Sequence, residues 1–127
     1  MNERAFTLSL LMPLLLAACA FGYQARGTLS DVPGELRGKG YPGNAVSGGR
    51  FMLADAAGRL TCDGRMAPAD RNAEPGSCAG ESGPGVVRCS DGREFTVRWT
   101  AVTCRSFTGS GEDNSGNRLV FRVDRRR

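Results

Sequence analysis

The stretch Gly85-Val86-Val87-Arg88-Cys89-Ser90-Asp91-Gly92-Arg93-Glu94-Phe95-Thr96-Val97-Arg98-Trp99 decides the fold. Apolar and polar residues alternate on both sides of Asp91-Gly92, which is the period of a half-buried β-strand, and Asp-Gly between two such runs is a hairpin signal. The register follows from the faces. A two-residue turn at Asp91-Gly92 places Arg88 opposite Phe95 and Cys89 opposite Glu94, mixing charged and apolar side chains on both faces. A three-residue loop, Ser90-Asp91-Gly92 with the glycine left-handed, pairs Arg88 with Glu94 and Val87 with Phe95. Val87, Cys89, Phe95, Val97 and Trp99 then share one face. Register is set by the buried face, so the three-residue loop is predicted.

Working outward, Gly58-Arg59-Leu60-Thr61-Cys62-Asp63-Gly64-Arg65 repeats the pattern of Gly85 to Arg93: a glycine opens a short strand, an apolar residue and a cysteine two apart share a face, and Asp-Gly-Arg closes it. A hairpin is expected from Phe51–Ala54 and Arg59–Cys62 around Asp55-Ala56-Ala57-Gly58, with Leu53 meeting Leu60 and Phe51 meeting Cys62. A last hairpin is expected from Val102–Thr108, turning through Gly109 to Asn117 and returning along Arg118–Val123 with Leu119, Phe121 and Val123 inward. The segment from Arg65 to Gly83, rich in Pro, Gly and Ala, reads as a long loop that needs Cys78 to tie it down. No segment beyond the N-terminal run holds helical periodicity for more than a turn or two. The expected fold is all-β: one small antiparallel sheet or an open β-barrel.

The chain has 127 residues and a formal net charge of +4, carried by arginine except for Lys39. That bias falls short of the dense basic patch of a nucleic-acid binder, so no nucleic acid is expected as a partner. There is no histidine, which removes the commonest general base and the commonest metal ligand together. With no nucleophile–base pair visible either, no enzyme, no catalytic residue, no cofactor and no metal are expected.

At the N-terminus, Arg4 precedes an apolar run that ends in Leu14-Leu15-Leu16-Ala17-Ala18-Cys19. This has the form of a secretory signal, and it is too short to span a bilayer, which takes ~20 apolar residues. Leucine three residues before a cysteine, with alanines between, is the pattern of a bacterial lipobox, in which Cys19 is the lipidated N-terminus of the mature chain. The competing reading is cleavage after Ala20, which secretes the domain to the periplasm without lipid. Residues 1–18 are thus expected as a lipoprotein signal peptide. Residues 19–49, dense in Gly and Pro, read as a lipidated tether with one edge strand near Glu35–Tyr41. Residues 50–127 read as the β domain. If Cys19 carries lipid, Cys62, Cys78, Cys89 and Cys104 remain, an even set without a Cys-x-x-Cys pair, which points to two disulfides rather than to zinc.

The lipobox, Cys62-Asp63-Gly64, Gly85 to Arg93, Gly109-Ser110-Gly111 and Arg118-Leu119-Val120-Phe121 resemble a group of small bacterial lipoproteins, frequent among alphaproteobacteria, with no assigned activity. The resemblance implies sorting to the outer membrane, because Ala20 rather than aspartate follows Cys19. The usual cysteines of that group match Cys62 and Cys89. Cys78 and Cys104 are additions, which pairs them with each other, and the repeated strand frame and the long loop agree with those pairings.

The remaining chemistry is weighed against plainer uses. Asp63 and Asp91 resemble paired carboxylates, but aspartate before glycine is favoured by turns. Glu112-Asp113-Asn114-Ser115-Gly116-Asn117 places oxygen ligands at alternate positions without the spacing of an EF-hand, and reads as a polar hairpin loop. Trp99 and Phe95 read as core. Arg125-Arg126-Arg127 reads as a solvated end that can also meet anionic head groups. The expected function is a membrane-anchored structural or binding module of the cell envelope, with an envelope protein as a possible partner. The alternative is an inhibitor of a cell-wall-degrading enzyme, similar to lysozyme inhibitors.

Overall fold

The computed structural model describes residues 22–41, 48–73 and 75–125. They form eight antiparallel strands: β1 (Tyr23–Leu29), β2 (Val32–Tyr41), β3 (Arg50–Ala54), β4 (Thr61–Met66), β5 (Ser82–Cys89), β6 (Glu94–Thr103), β7 (Ser106–Glu112) and β8 (Arg118–Arg125). Each strand pairs with its neighbour in sequence and β8 returns to β1, so the sheet closes into an up-and-down barrel. The all-β, disulfide-stapled domain expected from the sequence is present, and closure removes the sheet edges altogether. The chain enters β1 and leaves β8 at one end of the barrel, called here the near end, where residues 48–49, 67–73, 75–81 and 104–105 also lie. The far end carries four tighter turns, at 30–31, 55–60, 90–93 and 113–117.

An eight-stranded barrel has an interior just wide enough to be filled by side chains. Phe51, Phe95, Phe107, Phe121, Leu36, Leu53, Leu119, Val87 and Val123 are among those that fill it. Phe51 and Phe121 stack at 4.5 Å, and Phe107 meets Phe121 edge-on at 6.2 Å. The rings fit because glycine faces them. A Cβ on Gly64 would stand 2.3 Å from Cζ of Phe51, and one on Gly109 would stand 2.3 Å from Cζ of Phe121.

The β5–β6 hairpin has the predicted register, with Arg88 opposite Glu94 and Val87 opposite Phe95. Gly92 is left-handed (φ 91°), and the Cys89 amide donates to the Arg93 carbonyl at 2.9 Å. Both disulfides are as expected. Cys62–Cys89 joins directly paired positions of β4 and β5 inside the barrel. Cys78–Cys104 ties the 67–81 loop to the β6–β7 turn. That loop is held further by Trp99, whose indole N–H donates to the Ala67 carbonyl at 3.0 Å, so Trp99 is a core residue.

Four expectations are corrected. Much of the expected tether, residues 23–41, is β1 and β2, so the domain does not begin at residue 50. Closure needs these two strands: β1 pairs along its full length with β8, from Tyr23 opposite Arg125 to Leu29 opposite Leu119. The β3–β4 hairpin is displaced by two residues, with Leu53 opposite Cys62 and Phe51 opposite Gly64. The cause is Asp55, which lengthens the turn: its carboxylate accepts from the Leu60 amide at 3.1 Å, and its own amide donates to the Leu60 carbonyl at 3.1 Å. Asp63-Gly64 is accordingly not a turn but the middle of β4, with the Phe51 ring over the glycine. Finally, Val102 belongs to the end of β6, and Gly109-Ser110-Gly111 lies inside β7 rather than in its turn.

Filling a close-packed interior further is costly, so Gly64→Ala and Gly109→Ala should each lose about 1–3 kcal/mol in urea unfolding with the disulfides intact. Gly22→Ala, which has nothing within 4 Å of the added methyl, should change stability by less than about 0.5 kcal/mol.

Candidate interaction surface

Alternation along the strands sends every second residue outward, and the closing registers bring three arginines into one row. Arg26 of β1 stands opposite Arg37 of β2 on one side and opposite Arg122 of β8 on the other. Like charges directly opposite on a sheet are unfavourable by roughly 0.2–1 kcal/mol. Two carboxylates offset the row: Asp124 lies 2.7 Å from Nε of Arg122 and 3.7 Å from Nη2 of Arg26, and Glu35 lies 2.8 Å from Nε of Arg37, whose side chain is 80% exposed. Beside the row, Tyr23, Gln24, Arg26, Arg37, Gly38 and Lys39 line a groove of about 270 Å³. Gly38 shapes it, because a Cβ there would stand 1.7 Å from the Met52 carbonyl oxygen and force β2 away from β3.

Around the near end Arg50, Arg65, Arg71 and Arg105 are set against Asp63, Asp70 and Glu81. The far end has the opposite sign, with Asp31, Asp55, Asp91, Glu94, Glu112 and Asp113 set against Arg59, Arg88, Arg93 and Arg118. The barrel therefore carries a charge polarity along its axis. Outward positions bear mostly Arg, Lys, Thr and acids, with Met52, Val102 and Val120 as the exposed large apolar side chains among the described residues.

At the far end Arg93 is the hub. Its Nη1 lies 2.9 and 2.8 Å from the two oxygens of Asp31, and its Nε donates to Asp91 at 2.8 Å. Asp113 stands 3.9 Å from Nη1, and the guanidinium sits 5.7 Å from the centre of the Phe95 ring. One cation thus joins the β1–β2, β5–β6 and β7–β8 turns. Asp31, then Asp91, push the Arg93 pKa further up.

The residues singled out from the sequence are dispersed by this geometry. Asp63 and Asp91 take different partners. Asp63 lies on the outer face of β4 between Arg50 (3.9 Å) and Arg65 (3.7 Å), whereas Asp91 binds Arg93 in a turn. Asp113 is committed within its own loop, accepting from the Asn117 and Ser115 amides at 2.8 and 2.9 Å and from the Asn117 side chain at 3.0 Å. Among the described residues no group of three His, Cys, Asp or Glu is placed to hold a metal ion. Cys19, Arg126 and Arg127 lie outside the described residues, as does the Arg125 side chain. Arg125 itself ends β8 opposite Tyr23.

The basic row was not picked out from the sequence. Its signal is the alternation of Gln24, Arg26 and Thr28 with Ala25, Gly27 and Leu29, and of Glu35, Arg37 and Lys39 with Leu36, Gly38 and Gly40. Glycine at the inward positions hides that pattern.

Two carboxylates give the protein its acid response. The Asn117 side chain, followed by the loop amides and Arg93, holds Asp113 below the usual carboxylate range against the opposing effect of burial. Arg98 does the same for Asp70, which it grips through both terminal nitrogens. A depressed folded-state pKa contributes stability that is complete above the unfolded value of about 4 and is lost as pH falls through the lower folded value. Thermal stability should therefore be flat from neutral pH to about pH 5 and fall below about pH 4, with a shallower acid limb in Asn117→Ala. Arg93→Met, which removes the partner shared by Asp31 and Asp91, should cost about 0.5–1 kcal/mol at pH 7 in urea unfolding.

No protein-family model matches the chain and no curated protein matches it, so the reading of this surface rests on the residues that form it.

Proposed function

We propose that the chain is a lipid-anchored protein of the bacterial cell envelope, acylated at Cys19, whose barrel is a non-enzymatic binding module held at the periplasmic face of the outer membrane. The observation that carries this reading is a spacing. Cys19, the cysteine of Leu16-Ala17-Ala18-Cys19, precedes the first barrel strand by four residues, and that strand enters the barrel at its basic end. Four residues reach at most about 14 Å when fully extended. An anchored barrel is therefore held close to the bilayer, with no long tether to stand it off.

The water-facing exterior supports an anchor outside the fold, since a single acyl-bearing residue holds a polar barrel at a membrane without burying it. The positive near end supports attachment to an anionic surface, where each basic residue adds about 1 kcal/mol. Ala20 after the cysteine supports the outer membrane as the destination.

Mass spectrometry of the membrane-extracted protein should find Cys19 as the N-terminal residue, carrying a diacylglyceryl thioether. Cys19→Ala should release the chain from the membrane fraction. A free N-terminus at Phe21 in wild-type protein would rule the anchor out.

A further inference from the structure

We infer that the β8–β1–β2 face of the barrel is a docking surface for anionic phospholipid head groups, which lays the basic row on the bilayer. The inference rests on the lipid-anchor reading for its geometry but not for its test. Two independent observations converge on this face.

One is charge. Arg37, Arg26 and Arg122 form an unbroken row across three paired strands, with Asp124 between two of them and Glu35 beside Arg37, and Lys39 adds a further positive charge on β2. Guanidinium groups suit phosphodiesters because their donors match two phosphate oxygens at once. The groove beside the row, between Gln24, Arg26, Arg37 and Lys39, has a volume of about 270 Å³ and opens onto the same face.

The other is position. Arg26 is three residues into β1, which puts it about 10 Å along the strand from Tyr23. Cys19 is in turn only four residues from Tyr23, so a lipid on it is held within about 14 Å of the start of β1. The far end, with Asp31, Asp91 and Asp113 around Arg93, lies at the opposite pole. Resting on the far end would bring carboxylates against a negative surface, whereas resting on this face presents the arginine row to it. Attraction screened over about 8 Å at physiological ionic strength favours the pose in which the row touches.

The test uses the chain from Ala20 onward, without lipid, which retains all eight strands and both disulfides. Its partitioning is measured onto vesicles of phosphatidylglycerol and phosphatidylcholine, and onto phosphatidylcholine alone, at low and high salt. Binding should require phosphatidylglycerol and vanish at high salt. Arg26→Gln/Arg37→Gln should weaken it about twenty-fold, Arg26→Lys/Arg37→Lys should retain most of it, and the charge-matched Arg59→Gln/Arg88→Gln, off these three strands, should change it less than about three-fold. Equal losses in the two glutamine pairs would mean that net charge alone acts, and would overturn a docking face. So would binding indifferent to phosphatidylglycerol, or tighter binding to an anionic polymer such as single-stranded nucleic acid than to the vesicles. Because no lipid is attached, failure here leaves acylation at Cys19 untouched, and failure of acylation leaves this face untouched.

Discussion

The structure depends on the contact between inward aromatic rings and the glycines that face them. Phe51 over Gly64 and Phe121 over Gly109 fill the middle of the barrel, leaving no room for a β-carbon on the opposing strand. A small barrel must be filled without being overfilled, and pairing the largest apolar side chains with the smallest residue satisfies both demands at a high packing density. Strands can then approach closely enough for the sheet to curl through a full turn and for β1 to meet β8. Everything described for the surface is set by that meeting, because the row Arg37–Arg26–Arg122 does not exist until residues about a hundred positions apart in sequence are paired.

How much could be read in advance follows from the same packing. The β5–β6 hairpin was legible because its inward positions hold Val87, Cys89, Phe95, Val97 and Trp99, and its turn is closed by a left-handed glycine. β1 was not legible, and β2 (Val32–Tyr41) only in part, as an edge strand near Glu35–Tyr41, although both alternate as regularly. Their inward positions include Gly27, Gly38 and Gly40, so an apolar pattern was replaced by a glycine pattern that resembles a flexible linker. Gly109 and Gly111 disguised β7 as a turn in the same way. The two-residue displacement of the β3–β4 hairpin has a local cause, since an Asp55 side chain that bonds to Leu60 costs nothing in alternation and cannot be seen in it. Both disulfides were legible, one from the matching strand frames and one from a loop in need of an anchor.

The candidate surface was less legible than the fold. Its four basic residues are single charges scattered through a polar sequence, and only the registers of β1 with β2 and with β8 assemble them. The acidic cluster at the far end shows the converse: Glu112 to Asn117 suggested oxygen ligands, yet the acid of that loop is consumed by its own amides and by Arg93 from another hairpin. A charge polarity from basic near end to acidic far end emerges from these two assemblies, and it is aligned with the point where the chain enters the barrel.

The central claim is that residues 23–41 belong to the barrel rather than to a tether. Native-state amide exchange of the chain from Ala20, with both disulfides intact, tests it most directly. The account predicts that the amides of Ala25 to Leu29 and Leu36 to Gly40 exchange only through global unfolding, at the same free energy as those of β5 and β6. Exchange of the β1 and β2 amides at unprotected rates, while β5 and β6 stay protected, would contradict it.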